Sequence, residues 1–210
     1  NAKHGWAGGD GGVVIHTTDG GTTWTKQDTD TNNAIYGIHF TTPQVGWASG
    51  DAGTMLHTTD GGKHWESQKS NTASSLDTLC MLNDKEGWAA GGNGALIHTA
   101  DGGETWVVQE SHVPNSIGRP EPIWGIHFLD ANHGLAAAEF GVILKTDDGG
   151  KNWVPLEPRP VSNQLQAVQF VSPQEAWAVG KFGTILHSMD GGKSWEVISS
   201  NNDLTSIYFL

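Results

Sequence analysis

The sequence predicts an all-β fold, a five-bladed β-propeller of four-stranded antiparallel blades whose ring is closed by pairing the C-terminal strand with the N-terminal blade. Three observations carry this reading. The octet Thr17-Thr18-Asp19-Gly20-Gly21-Thr22-Thr23-Trp24 recurs with small variations, its aspartate as Asp60, Asp101, Asp148 and Asp190 and its tryptophan as Trp65, Trp106, Trp153 and Trp195. The aspartates lie 41, 41, 47 and 42 residues apart, and a period of about 40–50 residues is that of one four-stranded blade. Asp-Gly-Gly between apolar runs is also a hairpin signal, because glycine accepts positive φ and the carboxylate bonds nearby backbone N–H groups.

Each repeat reads as four short strands. The first alternates apolar residues, as in Ile35–Phe40, with counterparts at 76–81, 123–128, 165–170 and 204–209. The second holds Gly-Trp-Ala, as at Gly46-Trp47-Ala48; the third is of the type Thr54-Met55-Leu56-His57; the fourth begins at the octet tryptophan. Apolar residues on both strand faces fit sheets that pack on a neighbour on each side. The chain starts on a second strand, Gly5-Trp6-Ala7, and ends on a first, Leu204 to Phe209. Reading Phe209-Leu210 into Asn1 to Trp6 reproduces the spacing from Phe128 to Leu135. The expected organisation is one propeller over 1–210, with blades at 203–210 plus 1–27, 34–69, 75–110, 122–157 and 164–199, and no free radial edge.

The octet resembles the Asp-box, the [Ser/Thr]-x-Asp-x-Gly-x-[Ser/Thr]-Trp signature (BNR repeat) of sialidase-type propellers. The longer run Gly46-Trp47-Ala48-Ser49-Gly50-Asp51-Ala52-Gly53-Thr54-Met55-Leu56-His57, leading straight into its box, resembles the photosystem II assembly/stability factor family and its bacterial relatives over essentially the whole chain. The resemblance implies that the boxes are structural turns at the blade periphery, built on Asp19, Asp60, Asp101, Asp148 and Asp190 with Trp24, Trp65, Trp106, Trp153 and Trp195. Five copies of one motif cannot all be one catalytic centre. Sialidases are implied to need three arginines and a tyrosine nucleophile, whereas this chain has only Arg119 and Arg159 and only Tyr36 and Tyr208. Family members are implied to hold a membrane-protein partner on an arginine-rich patch, and no comparable patch occurs here.

Composition narrows the field further. With 23 acids against 11 bases and a net charge of -12, the field repels nucleic acid and anionic lipid. No apolar run is long enough to span a bilayer, so direct membrane insertion is not expected. The single cysteine, Cys80, excludes an internal disulfide and reads as a buried small hydrophobe on an inner strand. No cofactor motif is visible, and no Ser-His-Asp order or phosphate-binding glycine loop. The first residue, Asn1, reads as the start of a processed chain.

Where the repeats stop agreeing, a binding site is expected. If each first strand runs outward along a central channel, its opening residues Tyr36, Asp77, Trp124, Gln166 and Thr205 lie near one mouth. The turns between second and third strands should reach the same mouth with Asp10, Asp51, Asn93, Glu139, Phe140, Lys181 and Phe182. Arg119, on the long Pro-rich connection from Glu110 to Pro122, is expected to reach over it. Aromatic faces beside carboxylates and amides suit a polar peptide segment, a cation or a sugar. The repeated His16, His57, His98 and His187 look like metal ligands, yet equivalent positions on packed sheets stand about 10 Å apart, far beyond a zinc–nitrogen bond of about 2.0–2.1 Å. They, with His39 and His127, are therefore expected to be structural, and no metal is expected. The reading is a monomeric, non-catalytic binding or assembly-factor-like module for a protein partner, in a periplasmic, lumenal or secreted setting. The alternative is a carbohydrate-binding or glycoside-hydrolase-type propeller, not a sialidase, using Asp10, Asp51, Asp77 and Glu139.

Overall fold

A computed structural model describes residues 3–114 and 120–209 of the chain. It is all-β, and its strands follow the repeats. The first sheet holds β1 (Gly5–Gly8), β2 (Val14–Thr17) and β3 (Thr25–Gln27). The second holds β4 (Ile35–Phe40), β5 (Gly46–Gly50), β6 (Met55–Thr58) and β7 (Glu66–Ser67). The third holds β8 (Leu76–Met81), β9 (Gly87–Gly91), β10 (Leu96–Thr99) and β11 (Val107–Val108). The fourth holds β12 (Ile123–Phe128), β13 (Gly134–Ala138), β14 (Ile143–Thr146) and β15 (Val154–Pro155); the fifth holds β16 (Leu165–Phe170), β17 (Ala176–Gly180), β18 (Thr184–Ser188) and β19 (Glu196–Ser199). Each sheet is a meander in sequence order, four of them four-stranded and the first three-stranded.

Contacts divide the chain into two compact units, Asn1–Ala89 with Ile97–Val108, and Ala90–Leu96 with Gln109–Leu210. Each buries an apolar layer between sheets. In the first unit Val14, Ile35, Ala48, Leu56 and Trp65 pack together, with Trp6, Ile38 and Phe40 against them. In the second, Leu135, Ile143, Leu165, Phe170 and Leu186 belong to a shared cluster. Cys80 is buried on β8.

The octets form the expected turns. In the second sheet Thr58 Oγ1 donates to Asp60 Oδ1 at 2.9 Å, while the Gly62 N–H donates to Thr58 Oγ1 at 2.9 Å and the His64 N–H to Asp60 Oδ1 at 3.0 Å. Asp19, Asp101, Asp148 and Asp190 accept the same bonds. Gly62 is required twice over: its φ is +85°, and a Cβ there would lie 2.1 Å from Gln27 Oε1.

That glutamine reveals how neighbouring repeats lock. Gln27 Nε2 donates to the Gly61 carbonyl at 2.8 Å, and its Oε1 accepts from Trp65 Nε1 at 3.3 Å. Gln68 does the same for Gly102 and Trp106, both at 3.0 Å, and Gln109 Nε2 reaches the Gly149 carbonyl at 3.1 Å. The second-strand tryptophans add Trp6 Nε1 to the Gly61 carbonyl and Trp47 Nε1 to the Gly102 carbonyl, at 3.2 and 2.9 Å. The box is thus a socket for the preceding repeat.

One element departs from the expectation. Leu204–Phe209 forms no sheet ladder, and β1 has no first-strand partner in its sheet. Three of the segment's backbone groups bond to the fifth sheet: the Leu204 N–H donates to the Gly180 carbonyl at 3.0 Å, and the Gln169 carboxamide bonds both the N–H and the carbonyl of Phe209. Phe209 also packs on Trp177, with ring centroids 5.7 Å apart.

The box carboxylates make stability pH-dependent. Backbone and side-chain bonds from Thr23 hold the Asp19 pKa at about 2, and bonds from Ser194 do so at Asp190. At Asp60 desolvation pushes upward but is outweighed by the bonds from His64 and Thr58, and the pKa again falls to about 2. A carboxylate whose folded pKa lies below its ordinary 3.8 stabilises the fold fully above that value and loses the contribution as pH falls toward 2. Tryptophan fluorescence followed through an acid titration is expected to report unfolding between about pH 4 and pH 2. Retention of the native signal below that range would remove the boxes from this role.

Candidate functional site

In the second, fourth and fifth sheets the opening residue of the first strand and the turn after the second strand are built by local geometry into one end of the sheet. Tyr36, Trp124 and Gln166 sit where the register between first and second strands slips by one residue. Such a bulge leaves its extra residue outside the ladder and re-aims the side chain. Beside each bulge the turn is hydrogen-bonded to the segment entering the same first strand: Asp51 N–H to the Ala34 carbonyl, Glu139 N–H to the Pro122 carbonyl and Lys181 N–H to the Gln164 carbonyl, at 2.9, 3.3 and 2.9 Å.

These turns, Asp10–Gly12, Asp51–Gly53, Gly92–Gly94, Glu139–Gly141 and Lys181–Gly183, are single 3₁₀ turns with a left-handed central residue. That residue is Gly11 (φ 65°), Ala52 (52°), Asn93 (55°), Phe140 (53°) and Phe182 (55°). Glycine and asparagine enter this region readily; phenylalanine does not, and an L-residue there is costlier by about 1–2 kcal/mol. Both phenylalanines nevertheless face solvent, Phe140 at 40% and Phe182 at 79% exposure. The left-handed centre recurs in all five turns, and in the fourth and fifth sheets it presents an aromatic ring to water.

The predicted residues fall in two groups. The first unit holds an acidic set around Tyr36, which is half exposed. Partial desolvation and the negative charges of Asp51, Asp77 and Asp10 raise the phenol pKa. Desolvation raises Asp77 as well, against a hydrogen bond from Ser75 and with help from Asp51. Asp10 and Asp51 are exposed.

The second unit holds the aromatic set and Asn93, Gln166 and Lys181. The half-buried Trp124 donates its indole N–H to Glu139 Oε2 at 3.0 Å, tying the bulge to the turn that carries Phe140. Two residues that sequence reasoning passed over complete this set. Arg159 Nη1 donates to the Phe140 carbonyl at 3.4 Å; its only signal was an arginine between two prolines. Asp203 accepts the Phe182 N–H at 2.7 Å and pairs with Lys181 at 3.2 Å; its pKa is lowered, chiefly by that backbone bond. No local pattern marked Asp203, because its partners lie 21 and 22 residues away. Arg119 lies outside the described residues.

The repeated histidines are stacking partners. His16, His57, His98 and His187 lie on the tryptophans of their own second strands, with centroids 4.4, 4.7, 4.7 and 3.9 Å apart. His98 and His187 also pair with Glu86 and Glu175. His127 Nδ1 accepts the Phe170 N–H, and burial lowers the pKa of His39. Among the described residues no three His, Cys, Asp or Glu are grouped as metal ligands, and no helix is long and apolar enough to cross a membrane.

Comparison with known proteins adds a family and a fold. No curated protein matches the chain. A solved structure described as YCF48 bound to D1 peptide is 22% identical, with 94% of this chain and 77% of that one covered at a TM-score of 0.51. YCF48 from Cyanidioschyzon merolae is 20% identical over 99% and 86% of the two chains, at 0.53. A GH74 xyloglucanase from Xanthomonas campestris matches at 0.71 but with 14% identity and only 35% of its length. The family described as photosynthesis system II assembly factor YCF48 matches residues 23–123 and 116–206. Together with the five box-bearing sheets, that match over most of the sequence places the chain in the YCF48 assembly-factor family.

Proposed function

We propose that the chain is a non-catalytic, protein-binding module of assembly-factor type, and that it recognises an extended polypeptide through the ends of its blades that carry the bulges and left-handed turns. The observation that carries this reading is the pair of solvent-facing phenylalanines held at positive φ, Phe140 and Phe182. Aromatic anchors amid polar and charged groups are the usual energetic centre of a protein interface. A related structure 22% identical to this chain is described as bound to a D1 peptide, which makes a peptide ligand the natural first probe. Trp124, Gln166, Asn93 and Lys181 serve as flanking contacts, and the acids Asp10, Asp51, Asp77 with Tyr36 steer a partner of complementary charge. Family membership supports a lumenal or otherwise exported setting.

The test is photo-crosslinking in the native source, with a benzophenone amino acid at position 182, at 140, or at the exposed box residue Lys63. Polypeptide adducts are expected from 182 and 140 only. Adducts of equal yield from Lys63, or none from any position, would remove the reading. The carbohydrate alternative rests on the clustered Asp10, Asp51 and Asp77 and the raised pKa of Asp77. Hydrolysis of a glycan by the wild type, lost in Asp77→Asn, would replace binder by enzyme.

The same reading includes one propeller closed within a single monomer, with 204–209 as the innermost strand of the first blade. The exposed edge of β1 favours it, since an unpaired edge invites a strand. Register copied from Ile38 opposite Ala48 puts Ile207 opposite Ala7. A disulfide within one chain is expected for Ala7→Cys/Ile207→Cys in a Cys80→Ser background. Failure to form it, or its formation between two chains, would reject closure.

A further inference from the structure

At the junction of the fourth and fifth sheets the repeat loses the donors that lock the boxes of the second, third and fourth sheets. The position of Trp6 and Trp47 is taken by Leu135, and that of Gln27 and Gln68 by Leu156. The acceptor equivalent to Gly61 and Gly102 is the Gly191 carbonyl, and no hydrogen bond from a described residue reaches it. The histidine that stacks on the missing indole is Lys145, opposite Leu135 in the ladder and paired with Asp147. The space is open: a cavity of about 530 Å³, within the range that holds organic ligands, is walled by Leu129, Phe170 and Pro173, with Gly191, Lys145 and Lys193 around it. It lies by the Asp190 end of β18, whereas the Lys181–Phe182 turn lies at the other end.

We infer that this cavity is a vacated indole seat that takes a tryptophan side chain from a partner polypeptide. The other junctions show the chemistry it is built for, an indole laid between sheets with its N–H on the box carbonyl. The apolar walls match the ring, the Gly191 carbonyl supplies the acceptor, and the exposed Lys193 ammonium suits the ring face, while Asp130, Asp147 and Asp190 on the same lining disfavour an acidic neighbour in the partner. This inference concerns the opposite end of the blade from the proposed mouth and stands without it.

The test uses the whole chain, labelled with ¹⁵N, titrated with the blocked tetrapeptide acetyl-Gly-Trp-Ala-Gly-amide, its 1-methyltryptophan analogue, its leucine analogue and free indole. The tryptophan peptide is expected to bind saturably in the millimolar range and to shift the amides of Leu129, Gly191 and Lys193. The methylated analogue, which cannot donate to Gly191, should bind about tenfold more weakly, and the leucine analogue not measurably. Leu135→Trp/Lys145→His, which restores the pair of the other repeats, should fill the seat and abolish binding while melting no lower than the wild type. The inference is overturned by unsaturable binding, by equal affinity of the methylated peptide, or by shifts away from the cavity. Free indole binding as tightly as the peptide would overturn the polypeptide as occupant. Should the double variant fail to fold, the methylated and leucine peptides on the wild type decide the matter.

Discussion

Trp106→Ala is expected to cost about 3–5 kcal/mol, while the same change at Trp24, in the same octet position, is expected to cost less than about 1 kcal/mol. Trp106 is 1% exposed and donates its indole N–H to Gln68 Oε1 at 3.0 Å, so truncation leaves a cavity and a half-buried amide oxygen without its donor. Trp24 is 44% exposed, and its indole turns back to the carbonyl of Gly21 in its own box. No glutamine of a preceding repeat covers it among the described residues. Since a domain's whole stability is typically about 5–15 kcal/mol, the Trp106 variant should lose a large part of its unfolding free energy. Urea unfolding of both variants, followed by circular dichroism, measures the difference. Equal losses at the two positions would mean that the boxes are energetically alike and that the inter-repeat lock has no weight.

Phe182→Gly is expected to separate binding from stability. The ring makes little of the core at 79% exposure, and its backbone sits at φ 55°, where glycine is at ease. The melting temperature should hold or rise, whereas affinity for the polypeptide crosslinked from position 182 should fall by about 2 kcal/mol or more, roughly 30-fold. Titration calorimetry on wild type and variant reads both arms of this contrast against a thermal melt. Unchanged affinity would show that Phe182 is not an anchor. Trp124→Ala is a poorer probe, because the half-buried indole is bonded to Glu139 and its loss also loosens the turn carrying Phe140.

The repeat made most of the architecture legible in advance. Strand order, the box turns, the structural rather than metal-binding reading of the repeated histidines and the buried Cys80 all rest on periodicities of two residues or of one blade, which a linear chain displays openly; that the histidines stack on tryptophans was not legible. The candidate binding positions were picked out as places where the repeats disagree; that Tyr36, Trp124 and Gln166 sit on bulges was not legible, because a bulge is a property of two paired strands rather than of one. Likewise Phe140 and Phe182 were legible as candidate binding residues, but their positive φ was not, because a backbone dihedral angle is set by the folded turn. Arg159 and Asp203 entered only through contacts 19 to 22 residues away in sequence.

The fate of 204–209 marks the boundary most sharply. Its alternation determined that it would behave as a first strand, and it does dock as one on the sheet before it, with Leu204 on Gly180 as Ile35 is on Gly9. What only the tertiary structure shows is that the Gln169 side chain supplies both bonds to Phe209. By itself the sequence determined the blade, its turn and its packing face, since local propensity and apolar period are properties of consecutive residues. Only the tertiary structure decided which tryptophans are locked, which rings face water and which indole seat stands open, because each depends on what the next sheet places opposite.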